Sequence, residues 1–153
     1  MDERRHARYE RIYEQLRGLI VGTSPNVTAA MATICAVLHA KMPHHLWTGF
    51  YLVAEDDALY VGPYQGPVAC QVLRAGGVCL QAVLTSRAVV VDDVHTFPGH
   101  IACDPRARSE IVVPWLVGDR VAAVLDVDAA QPRQFSDEDI EPLSRIVGLL
   151  PAG

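Results

Sequence analysis

The chain has 153 residues, half of them apolar and a fifth charged, with a formal net charge of −5. This composition predicts one globular domain spanning 1–153 and argues against nucleic acid as a partner, because no Lys/Arg run is present to neutralise phosphates. The opening MDERRHARYE is too charged for a signal peptide, and no apolar run approaches the roughly 20 residues of a membrane span, so no membrane association is expected.

Tyr9, Ile12, Tyr13, Leu16, Leu19 and Ile20 recur at three- and four-residue spacing and predict an amphipathic helix that stops near Gly22. Arg4, Arg5, Arg8 and Arg11 share that helix with Glu3, Glu10 and Glu14, which reads as a solvated face. Ser24-Pro25 reads as the N-cap and first position of a second helix, carried by Val27, Ala30, Met31, Ile34, Val37 and Leu38 and ended by Pro43. Trp47–Val53 and Ala58–Gly62 are apolar runs joined by Glu55-Asp56-Asp57, a hairpin signal. Residues 68–73 predict a strand, 78–85 a short helix, and Ala88–Val91 a short strand. Residues 92–109 are rich in Asp, His, Pro and Gly without periodicity, so a long functional loop is expected. Glu110–Val117 and Arg120–Val127 flank a Gly118-Asp119 turn and form a second hairpin. Ser136 then caps a last helix whose first turn carries Asp137, Glu138 and Asp139. Pro114 inside a strand requires an edge or a bulge, and Pro142 inside the last helix should bend it. The order predicts an α+β fold, a central antiparallel sheet flanked by N-terminal and C-terminal helices.

Four cysteines in a chain without an export signal point to the cytoplasm, where thiols tend to be catalytic, redox-sensing or metal-binding. Cys35 lies on the apolar side of the second helix and reads as packing. Cys70, Cys79 and Cys103 lie in loops or at element ends, where an accessible thiolate and a second thiol could meet. No Cys-x-x-Cys pair occurs. A zinc site from His95, His100 and Cys103 is a weak alternative, and no metal is expected.

Carboxylates supply the second signal. Asp126 and Asp128 are two apart on a strand and share one face. Glu110 occupies a corresponding place across the Gly118-Asp119 hairpin and can approach Asp128 across the ladder. Three converging acids without a nearby Lys or Arg resist ionisation. Either they splay into solvent at a sheet end, or they form a pocket for a small cation such as an ammonium group, with one acid kept protonated as a proton donor.

The segments WTGFYL (47–52), GPYQGPVAC (62–70), GGVC (76–79), DDVHTFPGHIACD (92–104), SEIVVP (109–114) and VLDVD (124–128) together resemble the free methionine-(R)-sulfoxide reductases, which are built on a single GAF domain. The resemblance runs in order from about Ser24 to the last helix, and the pairing of DVHxFxGHIACD with SEIVxP is its most specific part. It implies that Cys103 attacks the substrate sulfur and becomes a sulfenic acid, that Cys70 resolves it as a disulfide, and that Cys79 is a second participant. It further implies that Glu110, Asp126 and Asp128 grip the ammonium of a free amino acid and help protonate the sulfoxide oxygen, and that Trp47 walls the pocket. No bound cofactor is implied, only an external dithiol such as thioredoxin, and a homodimer is suggested. The chain departs from the family in having Leu80-Gln81 where Gly-Thr usually follows the middle cysteine. The other reading is a GAF ligand-binding or redox-sensing module without efficient turnover.

Overall fold

The computed structural model describes residues 1–100 and 103–152; Ile101-Ala102, at the centre of the GHIACD motif, and Gly153 lie outside the described residues. Helices α1 (Glu3–Ile20) and α2 (Val27–Lys41) lead into strands β1 (Trp47–Val53), β2 (Leu59–Gln65) and β3 (Val72–Leu73). Helix α3 (Gly77–Thr85), strands β4 (Val89–Val91), β5 (Ser109–Val117) and β6 (Arg120–Ala129), and helix α4 (Ile140–Val147) follow. The strands form one antiparallel sheet in the order β3-β2-β1-β6-β5-β4, the α+β arrangement expected. No helix is long and apolar enough to cross a membrane, among the described residues.

The sheet separates two apolar layers. On one face Phe50, Ile111, Val113, Leu125 and Val127 pack with Tyr9, Ile12 and Leu16 of α1, Ile34 and Leu38 of α2, and Leu143 and Ile146 of α4. Residues one position along each strand point the other way. On that second face Trp47, Tyr51, Val112 and Val124 meet Val78, Cys79 and Ala82 of α3 and Val94 of the long loop. Three helices thus cover one face fully, while α3 and loops cover the other. A pocket forms on the second face.

Several local expectations are refined. Asn26, not Ser24-Pro25, caps α2: its side chain accepts from the Ala29 amide at 2.8 Å, while Ser24 Oγ donates to the Asn26 carbonyl. Residues 68–73 are strand only at Val72–Leu73; the rest is irregular and carries Cys70 toward the pocket. Among its described residues, the long loop contains one 3-10 turn, Val94–Thr96, whose cap Asp93 also pairs with Arg108 at 3.3 Å. Pro114 lies on β5 beyond the end of β4, where β5 is a free edge, and next to a bulge, so it removes no ladder bond on that side.

Pro142 does not bend a helix. Ser136 caps a 3-10 turn, Asp137–Asp139, through a capping box, and α4 begins afresh at Ile140. Pro142 therefore falls in the first turn of α4, where an N–H would lack a partner inside the helix.

The β5–β6 register depends on one residue. Val117 pairs with Arg120 and Leu116 with Val121, but Trp115 pairs with Ala123, leaving Ala122 unpaired in a bulge. Counted from the turn without that bulge, Glu110 would face Val127. With it, Glu110 faces Asp128 and Val112 faces Asp126, so all three acids share the pocket face.

Candidate active site

Trp47, Gly49 and Tyr51 alternate on β1 and face the pocket, opposite Asp128, Asp126 and Val124 of β6. The Trp47 indole lies between Tyr51 and Tyr64, with ring centroids 5.8 and 5.2 Å away and planes 27° and 23° apart. Gly49 makes this possible, since a Cβ there would overlap both the indole and Cβ of Tyr64. Gly49→Ala is therefore expected to displace the indole and destabilise the fold by about 1–3 kcal/mol, the usual scale of overpacking. Near-ultraviolet circular dichroism and a melting curve check this, and unchanged spectra with an unchanged midpoint would refute it.

Helix α3 enters through Gly76, at φ +67°, and Gly99 of the long loop crosses directly above it. A Cβ on Gly76 would fall 2.8 Å from the Gly99 carbonyl oxygen, so glycine satisfies both the left-handed backbone and the close approach. This crossing lays Gly99 of the long loop over the start of α3. Leu80-Gln81 leaves α3 unbroken: Val78, Cys79 and Ala82 form its buried side and Gln81 is exposed.

The pocket is lined by Trp47 and Tyr51 from β1, Ala69 and Leu73 from the β2–β3 segment, Cys79 from α3, Cys103 and Asp104 from the long loop, and Glu110, Asp126 and Asp128. Cys70 and Cys103 are joined by a disulfide with Cα atoms 5.5 Å apart, within the range a bridge requires. The Tyr51 hydroxyl donates to the Cys70 carbonyl at 3.0 Å and fastens that segment to the sheet. Cys79 and Cys35 are free and buried, but on opposite sides of the sheet. Burial pushes the Cys35 thiol up to about 12, in keeping with a packing role.

The three acids behave as mutually repelling buried carboxyls. Burial, then the charges of Asp126 and Asp128, hold the Glu110 carboxyl well above the ordinary range. Burial and the charge of Asp126 do the same to Asp128, and burial raises Asp126. No Lys or Arg lines the pocket among the described residues. The Asp126 Oδ1 and Trp47 Nε1 atoms are buried without a hydrogen-bond partner. The Cys79 thiol is pushed well above its usual value by burial first and then by these same acids. Among the described residues, Cys79, Glu110 and Asp126 come close enough together to share a metal ion; Cys103, part of the sequence-based zinc alternative, is held in the disulfide.

Every residue singled out from the sequence for this site, namely Cys70, Cys79, Cys103, Trp47, Glu110, Asp126 and Asp128, lies at this one location. The sequence reading missed Tyr51 and Gly49. Their signal was the two-residue alternation from Trp47, which puts 47, 49 and 51 on one face.

A GAF domain family model matches residues 25–150. Free methionine-R-sulfoxide reductase of Escherichia coli is 38% identical over 143 residues, covering 93% of this chain and 86% of that protein. The structure of free methionine-R-sulfoxide reductase from Neisseria meningitidis in complex with its substrate superposes with a TM-score of 0.88 at 38% identity, over 93% of this chain and 85% of that one. The reduced form of fRMsr from Staphylococcus aureus gives 0.87 at 39% identity, over 93% and 92%. With its acid-lined pocket and bridged cysteines on a GAF sheet, the chain belongs to the free methionine-(R)-sulfoxide reductase family.

Proposed function

We propose that this protein reduces free L-methionine-(R)-sulfoxide to methionine, with Cys103 as nucleophile and Cys70 as resolving thiol. The observation that carries the reading is the Cys70–Cys103 disulfide opening on a pocket with three unneutralised acids. A free amino acid brings an ammonium group that satisfies Glu110, Asp126 and Asp128, including the unpartnered Asp126 oxygen. A residue inside a peptide has no such group. Trp47, stacked with Tyr51 and Tyr64, supplies an apolar wall for the methyl and sulfur.

The Cys103 thiolate attacks the sulfoxide sulfur, and the sulfoxide oxygen takes a proton from a pocket acid. The S–O bond breaks and oxygen is retained on Cys103 as a sulfenic acid. Methionine leaves. The Cys70 thiol then attacks the Cys103 sulfur, water departs, and the disulfide closes. An external dithiol of the thioredoxin type exchanges with it and restores both thiols. Glu110 and Asp128, whose carboxyls burial holds well above the ordinary carboxylate range, suit the proton-donor role. Cys79 is buried and its thiol strongly held protonated, which suits a secondary participant better than a nucleophile. The reading takes 1–153 as one domain working in the cytoplasm without bound cofactor, in the homodimer that the family resemblance suggests.

The direct test mixes reduced protein with dithiothreitol and each substrate, and measures methionine. Product is expected from the free R epimer and not from the S epimer or from a peptide-bound sulfoxide. No product from the free R epimer would leave a binding or sensing module instead.

The bulge gives a second test. Deleting Ala122 closes the hairpin without a bulge and keeps Glu110 opposite Asp128, so activity is expected to survive. Deleting Leu116 instead shifts the strand so that Glu110 meets Val127, and activity is expected to vanish. Equal activity in the two deletions would refute the role given to this register.

A further inference from the structure

We infer that Cys79, Glu110 and Asp126 form a binding site for a thiophilic divalent cation of the zinc or cadmium class, which inhibits by occupying the place of the substrate ammonium. One atom from each of these residues lies within 4.8 Å of the other two. All three side chains are more than nine-tenths buried. The three sit on different elements, α3, β5 and β6, so the sheet and helix hold the cluster in place rather than one flexible loop.

The donor chemistry fits this class of ion. One sulfur and two carboxylate oxygens are ligands that zinc accepts in a tetrahedral shell, with a fourth position left for water. Oxygen-only ligation, which magnesium and calcium favour, is not what Cys79 offers. A second observation points to a ligand independently of the spacing: Asp126 Oδ1 is buried and takes no hydrogen bond, although buried polar atoms normally do. No basic side chain lines the pocket among the described residues to neutralise the acids. A bound dication would do so, with the Cys79 proton and any proton held by Glu110 released to solvent as the metal–ligand bonds form.

The Cys70–Cys103 pair is already oxidised in this structure, so the site requires neither of those sulfurs. It is available in the state of the enzyme that cannot reduce substrate. The inference shares residues with the proposed reductase pocket, yet metal binding is measured without turnover, so either can fail alone.

The experiment titrates cadmium into the disulfide form of the full chain and follows the ultraviolet thiolate-to-cadmium band and bound metal after dialysis. One cadmium per chain with a sulfur-to-metal band is expected. The band should persist in Cys35→Ser, whose thiol is on the other face, and disappear in Cys79→Ser. Asp126→Asn should weaken binding by about tenfold or more. Free methionine sulfoxide should raise the cadmium concentration needed for half-saturation. No band in the wild-type chain, or a band that persists in Cys79→Ser, would overturn the assignment. Should Cys79→Ser fail to fold by far-ultraviolet circular dichroism, the carboxylate variants decide: unchanged affinity in both Glu110→Gln and Asp126→Asn would overturn it equally.

Discussion

Replacing Cys103 by serine is expected to abolish methionine formation, by on the order of 10³-fold or more, because the hydroxyl cannot supply the thiolate on which the chemistry depends. The fold should be retained, since residue 103 lies in a loop outside both apolar layers. Cys70→Ser should behave differently. Its first turnover needs only Cys103, so one methionine per chain should appear rapidly in the absence of external thiol, with the sulfenic acid trapped by a dimedone-type reagent. Repeated turnover would then require reductant to attack that sulfenic acid directly. A rapid-quench measurement of methionine per chain separates the two roles. Full steady-state activity in Cys103→Ser would remove the assigned nucleophile, and loss of the single-turnover product in Cys70→Ser would show that the two sulfurs do not act in this order.

Glu110→Gln should lose activity while gaining stability. Its carboxyl is buried beside Asp126 and Asp128, which raises its folded pKa well above the unfolded value. For an acid shifted in this direction, the native state binds the extra proton. The associated stability is complete below the unfolded pKa and is lost as pH rises through the folded pKa. At alkaline pH the wild-type chain must therefore either hold a buried carboxylate or retain a proton against solvent. Glutamine is nearly isosteric and never ionises. The variant should melt a few degrees above the wild type at pH 8, with the difference vanishing near pH 4, and scanning calorimetry across that range checks it. Activity moves the other way, because a hydrogen bond to a charged group is worth about 1.5–3 kcal/mol. Losing the proposed contact with the substrate ammonium should lower kcat/KM roughly 10–100-fold. A variant less stable than the wild type at pH 8 would mean that Glu110 is ionised and already neutralised by a partner.

Much of the fold can be read from periodicity. The i, i+3, i+4 spacing in α1 identifies Tyr9, Ile12, Leu16 and Ile20, all of which are buried, because a solvated helix needs one apolar stripe. The β5–β6 hairpin follows from its turn residues. What escaped were features that no window of sequence carries. Ala122 is an ordinary small residue in an apolar strand, yet it sets the register of Glu110; a bulge depends on both strands. The start of α2 went to Asn26 because several neighbouring residues are all competent caps, and tertiary geometry chooses among them. Pro142 looked like a breaker only while the 3-10 turn before it was unseen.

The site was legible in its chemistry before its geometry. Cysteines at element ends and acids two apart on a strand were visible as residue types. That Cys70, 33 residues from Cys103, is its bridged partner could not be deduced from spacing. The resemblance implied it, and the Gly76–Gly99 crossing and the Tyr51–Cys70 hydrogen bond are the contacts that bring the two segments together. The aromatic support of Trp47 by Tyr64 also arises from strand pairing across Gly49, invisible from either strand alone.

The sheet that divides the two apolar layers also sorts the sulfur atoms. Cys35, capped by the Pro63 carbonyl at 3.4 Å, shares no compartment with the other three. A wrong pairing with it would demand that the β-layer come apart. During an oxidative burst the molecule can thus shuttle between its thiol and bridged forms without drawing Cys35 into a bridge, and only thermal or chemical denaturation would open the way to an isomer mispaired there.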